Sequence, residues 1–168
     1  ASAMVSNTAG VYNTAVGTAA LTNQASGTYN VAVGYQSLYS STGHFLTDMG
    51  SYALYSNTTG TGLTAMGDSA LYTNTSAVAN TAVGNSALAY NSIGGFNTAV
   101  GFNALYSNTT AANNSAFGSS ALYGNTTGAN NVAIGTFSLL NNGAGASNTA
   151  VGVSTLRSNS ASNNTAIG

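Results

Sequence analysis

Very few side chains in this sequence could carry out acid–base or metal chemistry. Asp48, Asp68, His44 and Arg157 are the only residues whose side chains are charged or titrate near neutral pH. Catalysis by acids and bases needs such groups in pairs or clusters. Asp48 and Asp68 fall in adjacent repeats but at different positions of the repeat, so we expect separate, solvated surface positions. The sequence therefore predicts no enzymatic activity, no cofactor and no metal site.

The composition also argues against two classes of partner. Charged residues make up 2% of the chain, against about 25% in typical globular proteins. Arg157 is the single basic residue apart from His44, and a nucleic-acid surface needs clustered Lys and Arg to neutralise phosphates. No apolar run approaches the roughly 20 residues of a membrane-spanning helix. We therefore expect neither nucleic-acid binding nor membrane insertion.

The elements that would position any functional surface are ten copies of one short unit. The repeat motif is represented by Asn80-Thr81-Ala82-Val83-Gly84, followed four residues later by Leu88. The step between copies is 17 residues, with two steps of 16. The closing glycines are Gly17, Gly34, Gly50, Gly67, Gly84, Gly101, Gly118, Gly135, Gly152 and Gly168. Met4, Leu21, Leu38, Leu54, Leu71, Leu88, Leu105, Leu122, Leu139 and Leu156 occupy the leucine position. So short a period predicts an all-β fold, a single β-solenoid domain of about ten coils over residues 1–168 with uncapped ends.

Each coil is predicted to contain two short strands, Thr-Ala-Val and Ala-Leu-Tyr, separated by a glycine bend. Because side chains alternate across a strand, valine and alanine face opposite sides. We place the apolar valine column inside with the leucines, and the alanine column, which includes Asp48, outside. An inward alanine column around a very thin core remains the alternative. The predicted core columns are represented by Val16, Leu21, Val83, Leu88, Val100 and Leu105.

Asparagine occurs at two positions of the repeat, one in the turn and one directly before the first strand. Turn asparagines tolerate left-handed backbone angles. Identical amides stacked at a coil spacing of about 4.8 Å can donate and accept along a column, as in cross-β ladders. Both 16-residue steps can be placed in the turn, after Ser41 and after Asn159. Deletions are therefore expected in loops and not in strands.

A single coil cannot fold alone, because ordering it costs about 1 to 2 kcal/mol per residue and it buries few apolar side chains. Solenoid ends normally need polar caps, and neither end of this sequence has one. We therefore predict a homopolymer in which subunits join head to tail as an extracellular filament or surface fibre. An equally open alternative is that residues 1–168 are a segment of a longer repeat protein. The predicted interface residues are Ala1, Met4, Val5, Leu156, Ile167 and Gly168.

The repeat words resemble those of a known family. Asn-Thr-Ala-Val-Gly at 13–17, 80–84, 97–101 and 148–152, and Asn-Val-Ala-Ile-Gly at 131–135, are similar to the head repeats of YadA-like trimeric autotransporter adhesins and of phage tail-fibre-like proteins. The resemblance implies a left-handed parallel β-roll on a trimeric surface fibre, and a host surface as a partner. The 17-residue period of this chain is longer than that of the family's head repeat.

Three surface features are candidates for contacts. Lateral packing is predicted at Tyr12, Tyr29, Phe45, Leu46 and Leu63, an apolar cluster in the first coils. The tyrosines that follow the leucines either stabilise the surface by stacking or form a platform for carbohydrate or another partner. Glycosylation sequons occur at Asn57, Asn74, Asn108, Asn113, Asn125 and Asn163. Ice binding by the threonine column is a further alternative, which the predicted inward orientation of those threonines disfavours.

Overall fold

The computed structural model describes residues 2–168, and these form a parallel β-solenoid. One strand per coil contributes to a single ten-stranded sheet, in which the strands lie in sequence order. The strands are β1 (Thr14–Val16), β2 (Val31–Val33), β3 (Thr47–Met49), β4 (Thr64–Met66), β5 (Thr81–Val83), β6 (Thr98–Val100), β7 (Ser115–Phe117), β8 (Val132–Ile134), β9 (Thr149–Val151) and β10 (Thr165–Ile167). The prediction of an all-β solenoid with a 17-residue period is confirmed. Ala1, predicted at an interface, lies outside the described residues.

The sheet keeps one register along its whole length. Thr81 pairs with Thr98 one repeat later, and the same positions pair across both 16-residue steps, where Val31 meets Thr47 and Thr149 meets Thr165. The missing residue lies in the turn. In ordinary coils the turn asparagine amide donates to the carbonyl three residues on, whereas the amide of Asn159 donates to the carbonyl two residues on. The strands therefore stay aligned while the turn absorbs the deletion.

The predicted orientation of the strands is wrong, because alanine and not valine faces the interior. Ala82 and Ala99 are fully buried, whereas Val16 is 57% exposed and Met49 45% exposed. Val83 and Val100, predicted as core, are half-buried on the outer face of the sheet. Leucine and asparagine side chains fill most of the interior, so the strand contributes a methyl group there in every coil except at Asp48.

The predicted second strand does not form. Ala-Leu-Tyr belongs to a turn in which the leucine has a positive φ, 51° at Leu88, while a β-strand needs φ near −120°. Two more positions of the coil are left-handed, Ser86 at 55° and Phe96 at 58°. Such angles are unfavourable for residues other than glycine. Hydrogen bonds between coils hold them, since the Leu88 amide donates to the Ala104 carbonyl at 3.0 Å.

The closing glycine is required where coils approach each other most closely. Gly84 has a φ of +133°, and a Cβ placed on it would lie 2.5 Å from the carbonyl oxygen of Gly101 in the next coil. No side chain fits at that distance, so the position admits only glycine.

Two neighbouring columns of asparagine run through the interior with the fully buried leucines Leu21, Leu88 and Leu105. The two columns share acceptors, since the amides of Asn80 and Asn91 both donate to the Gly94 carbonyl. In the turn column the amide nitrogens from Asn74 to Asn142 reach the amide oxygen of the preceding coil, as from Asn108 to Asn91 at 2.8 Å. In the column before the strand the backbone N–H makes that bond, as from Asn97 to the Asn80 side chain at 2.7 Å. These bonds satisfy polar groups that burial would otherwise penalise.

Candidate functional site

Asp48, expected on the surface, lies in the interior. It takes the alanine position of β3, pairs with Ala32 and Ala65 in the sheet, and is fully buried. The Ser37 hydroxyl donates to its Oδ2 at 2.8 Å, while Oδ1 has no hydrogen-bond partner. Burial raises the pKa of the Asp48 carboxyl to about 8, against which the Ser37 hydrogen bond acts only weakly. The carboxyl is therefore protonated at neutral pH.

The other ionisable residues lie at separate points of the molecule. Asp68 is exposed and accepts a hydrogen bond from the Ser69 hydroxyl. The Nδ1 of His44 accepts from the Thr28 backbone N–H at 3.1 Å. Arg157 lies over the ring of Phe137, with its guanidinium carbon 5.4 Å from the ring centroid. Within residues 2–168 no group of three or more His, Asp or Glu side chains could hold a metal ion.

The outer face of the sheet is a continuous surface of hydroxyl and aliphatic side chains. Because alanine faces in, the first and third residue of each strand face out, as Thr81 and Val83 do in β5. The third position holds valine in five of the ten strands and Met, Phe or Ile in the other five. Thr14 and its equivalents, predicted inside, therefore lie on this face. We call these two outward columns the sheet face.

The predicted lateral cluster divides into two parts. Tyr12, Tyr29 and Phe45 are exposed and stack face to face, with centroids 5.0 Å and 5.4 Å apart. Leu46 and Leu63 are buried, because they occupy the asparagine column before the strand and so point inward. They are therefore not available for lateral contacts.

The tyrosines that follow the leucines form two separate stacks. Tyr55 and Tyr72 are 5.4 Å apart and nearly parallel, and so are Tyr106 and Tyr123 at 5.1 Å. Ala89 occupies the position between the two stacks, and an open cavity of about 180 Å³ lies there. We call it the Ala89 slot. It is lined by Ser69, Tyr72, Ser86, Ala89, Tyr90 and Tyr106.

Most of the predicted glycosylation sites are not accessible. Four of the six asparagines are fully buried in the turn column, with their amide nitrogens hydrogen-bonded. These are Asn57, Asn74, Asn108 and Asn125. A glycan needs an exposed amide, so in the folded state these four are excluded as acceptors. Asn113 and Asn163 are exposed.

The residues predicted at the ends lie on the first and last coils. Met4 and Leu156 continue the leucine column but are only half-buried, and Val5 and Ile167 are exposed. Met4 already has the left-handed conformation of the leucine position, with a φ of 54°. Gly168 follows β10 directly.

The Ala89 slot and the sheet face are the features that the sequence interpretation missed. The slot has a sequence signal, because alanine stands where Tyr55, Tyr72, Tyr106 and Tyr123 set the pattern. The sheet face also has a sequence signal. The side chain at the third strand position varies in size, from Val83 to Phe117, while the second position carries a small side chain in nearly every strand.

Comparisons of the chain with protein-family models, with curated proteins and with solved structures found no match. Among residues 2–168 no helix has the length and apolar character needed to cross a membrane.

Proposed function

We propose that the chain is a structural subunit of an extracellular filament or surface fibre, without enzymatic activity, in which solenoids join end to end. The observation that carries the proposal is the single register of the ten-stranded sheet, whose outermost strands among residues 2–168 are β1 and β10, each unpaired there on one edge. Free strand edges are templates for pairing with another chain.

The hydrogen-bond pattern of the sheet defines the bonds of such a junction. Inside the solenoid the first strand residue donates to the asparagine carbonyl of the next coil, as Thr81 does to Asn97 at 2.9 Å. The closing glycine donates to the third strand residue of the preceding coil, as Gly101 does to Val83 at 2.8 Å.

At the two edges the same groups lie opposite no strand of residues 2–168. One edge offers the Thr165 N–H and the Ile167 carbonyl, and the other offers the Asn13 carbonyl and the Gly17 N–H. If the β1 edge of a second copy were placed against β10, the Thr165 N–H would donate to the Asn13 carbonyl of that copy, and the Gly17 N–H of that copy would donate to the Ile167 carbonyl.

The interior columns also continue across this junction. From Ile167 to Val16 of a second copy the step is 17 residues, and from Leu156 to Met4 it is 16, both of which occur within the chain. Half-buried Leu156 and Met4 would then complete the leucine column. Coils supplied by further residues of the same chain would make the same bonds, and the product is a long, nearly uncharged rod in either case.

The proposal is tested by the particle length of residues 1–168 in electron micrographs over a range of concentrations. Ten coils at about 4.8 Å span about 48 Å, so lengths should be multiples of this value and increase with concentration. Thr165→Pro removes the donor at the free edge, where a strand tolerates proline, and should shorten the particles. Thr165→Val keeps the N–H and is the matched control. Single solenoids at every concentration would overturn end-to-end joining.

A trimeric fibre like that of YadA-like adhesins or phage tail fibres, binding a host surface, is the second candidate. It is favoured by the sheet face, whose column of outward-facing Val, Met, Phe and Ile, partly or fully exposed, is a long apolar stripe of the kind that marks association. Sedimentation equilibrium should then give three times the 16.5 kDa chain mass. Val100→Asp should abolish the trimer, whereas Asn85→Asp, which adds the same charge beside this face, should not.

The sheet face also bears on ice binding. The outward threonines remove one reason against it, their predicted inward orientation. The other remains, because Val31, Ser115 and Val132 interrupt their column, and Met49 and Phe117 disturb the flatness of the face. Thermal hysteresis of the wild-type protein is the measurement that decides. Its absence would leave association of copies as the role of this face.

A further inference from the structure

The column of tyrosines that follows the leucines is interrupted once between two intact stacks. In the first stack Tyr39 lies 5.3 Å from Tyr55, and Tyr55 lies 5.4 Å from Tyr72. The second stack is Tyr106 with Tyr123, whose planes differ by 2°. Within a stack each ring covers the face of its neighbour. Where Ala89 replaces a tyrosine, the Tyr72 ring has no stacked partner in the next coil, and Tyr106 has instead the perpendicular ring of Tyr90, from the same coil as Ala89, at 4.9 Å.

The gap has the dimensions of one ring. Tyr72 and Tyr106 are two coils apart, which corresponds to about 10 Å at the spacing of strands. A ring stacked on Tyr72 would lie about 5 Å from its face, the distance at which the tyrosines of the column stack on one another. The volume of about 180 Å³ is smaller than the roughly 300 Å³ at which pockets for drug-sized ligands begin. The slot therefore fits one ring and not a larger molecule.

The walls and rim of the slot determine the chemistry of that ring. Tyr90 stands perpendicular to Tyr106, at 81° and a centroid distance of 4.9 Å, and both rings line the slot. Ser69 and Ser86 bring hydroxyl groups to the lining, where they donate to Asp68 and Asn85 and can still accept a hydrogen bond, and none of the six lining residues is charged. The ligand must therefore have apolar faces, hydrogen-bonding groups around its edge and no charge requirement.

We propose that the Ala89 slot binds one pyranose ring of an uncharged glycan. The C–H groups on one face of a pyranose pack against the open face of Tyr72, the opposite side of the sugar meets Tyr90 and Tyr106, and its equatorial hydroxyls reach the serine and tyrosine hydroxyls at the rim. Tyrosine suits this role because it combines an apolar face with a polar end. Such binding does not depend on how solenoids join end to end.

The exposed stack of Tyr12, Tyr29 and Phe45 is not an equivalent site. Its rings lie 5.0 Å and 5.4 Å apart with planes within 16°, so the faces between them are covered and mainly edges are presented to a ligand. A sugar needs a free face, which in the tyrosine column the alanine substitution provides.

The test uses residues 1–168 with the methyl glycosides of glucose, galactose, mannose and N-acetylglucosamine as probes. Saturation-transfer NMR should show transfer from the protein to the ring C–H protons of at least one glycoside. Ala89→Tyr completes the column and fills the slot without creating a cavity, and should weaken binding at least tenfold. Leu140→Tyr adds a tyrosine to the same column beyond Tyr123, away from the slot, and should leave binding unchanged.

Three results would overturn the proposal. None of the four glycosides shows transfer with the wild-type protein, or transfer is the same for Ala89→Tyr as for wild type, or only p-cresol, added as an aromatic probe, is bound. The last result would assign the slot to an aromatic side chain of another molecule. Circular dichroism checks that both variants keep the fold, so a loss of binding in Ala89→Tyr reports on the slot itself.

Discussion

The regular coils at 80–152 and the irregular coils at 39–66 fill the same interior with different chemistry. In the regular coils both inner columns are asparagine and the strand contributes alanine. In the irregular coils Leu46 and Leu63 replace the asparagine before the strand, and Asp48 replaces the alanine. Nevertheless β3 keeps the common register with β2 and β4. The backbone ladder therefore sets the geometry, and the inner side chains adapt to it.

The two regions differ in how they satisfy the backbone. In the regular coils the Asn97 side chain accepts from the Asn114 N–H at 2.9 Å and donates to the Ala111 carbonyl at 2.9 Å. At the entrance to the irregular coils the Asn30 side chain accepts from the Leu46 N–H at 2.9 Å. The Leu46 side chain carries no oxygen to offer Leu63, so apolar burial replaces the ladder there.

The largest expected effect concerns the buried carboxyl of the irregular region. Because the pKa of Asp48 is raised to about 8 from 3.8, the folded state keeps a proton that the unfolded state releases between these values. Stability therefore falls as pH rises, by about 1.4 kcal/mol per pH unit, or about 3 kcal/mol from pH 5 to pH 7. Urea unfolding followed by circular dichroism at several pH values measures this slope.

Two substitutions isolate the Asp48 contribution. Asp48→Asn keeps the shape and an acceptor for the Ser37 hydroxyl but does not titrate, and Asp48→Ala restores the residue of the regular coils. Both should remove the slope and be more stable than wild type at pH 8. A slope in Asp48→Asn equal to that of wild type would assign the pH dependence to other groups.

The next largest effect is expected from exchanging asparagine and leucine at the position directly before the strand. Asn97→Leu introduces the residue that Leu46 and Leu63 already place there, so its size is compatible with the coil. It leaves the Asn114 N–H without its acceptor, and an unsatisfied buried group costs about 1 to 3 kcal/mol. We expect a loss of about 2 kcal/mol in the free energy of unfolding, measured in urea.

Leu63→Asn is the reverse exchange and serves as the control. It gives up the burial of a leucine but adds an amide beside the N–H of Asn80, so the two contributions largely cancel and stability should change by less than about 1 kcal/mol. Equal losses in both variants would mean that size, and not the hydrogen bond, decides which residue each coil carries.

The period, the leucine column and the asparagine ladders could be predicted because each depends on chemistry that repeats in every coil. Which face of the strand is buried could not be predicted from hydrophobicity, since the sequence Thr-Ala-Val is compatible with burial of either the alanine side or the threonine and valine side. Variation in side-chain volume distinguishes the two sides. The third strand position accepts Val83, Met66 and Phe117, which solvent tolerates, while the second is alanine in every strand except at Asp48.

The left-handed conformation of the turn could not be predicted from the sequence pattern for a different reason. Leucine normally disfavours a positive φ, so Ala-Leu-Tyr reads locally as a strand. At Leu88 the hydrogen bond to the next coil and the burial of the side chain outweigh that preference, and both come from neighbouring coils. The Ala89 slot is likewise a difference between one coil and its neighbours, which a consensus repeat conceals.

The smallest expected effect concerns Gln24, the one glutamine in a column that the other coils fill mainly with asparagine. Gln24 is fully buried, and neither its amide nitrogen nor its amide oxygen has a hydrogen-bond partner. Gln24→Asn shortens the side chain to the length at which Asn57 reaches the carbonyl of Gly60 three residues on. The new amide should bond the Gly27 carbonyl in the same way and raise stability by about 1 kcal/mol. Gln24→Leu removes the unpaired groups without adding a bond and should gain less, so a larger gain for leucine would show that this coil, like the irregular ones, prefers an apolar interior.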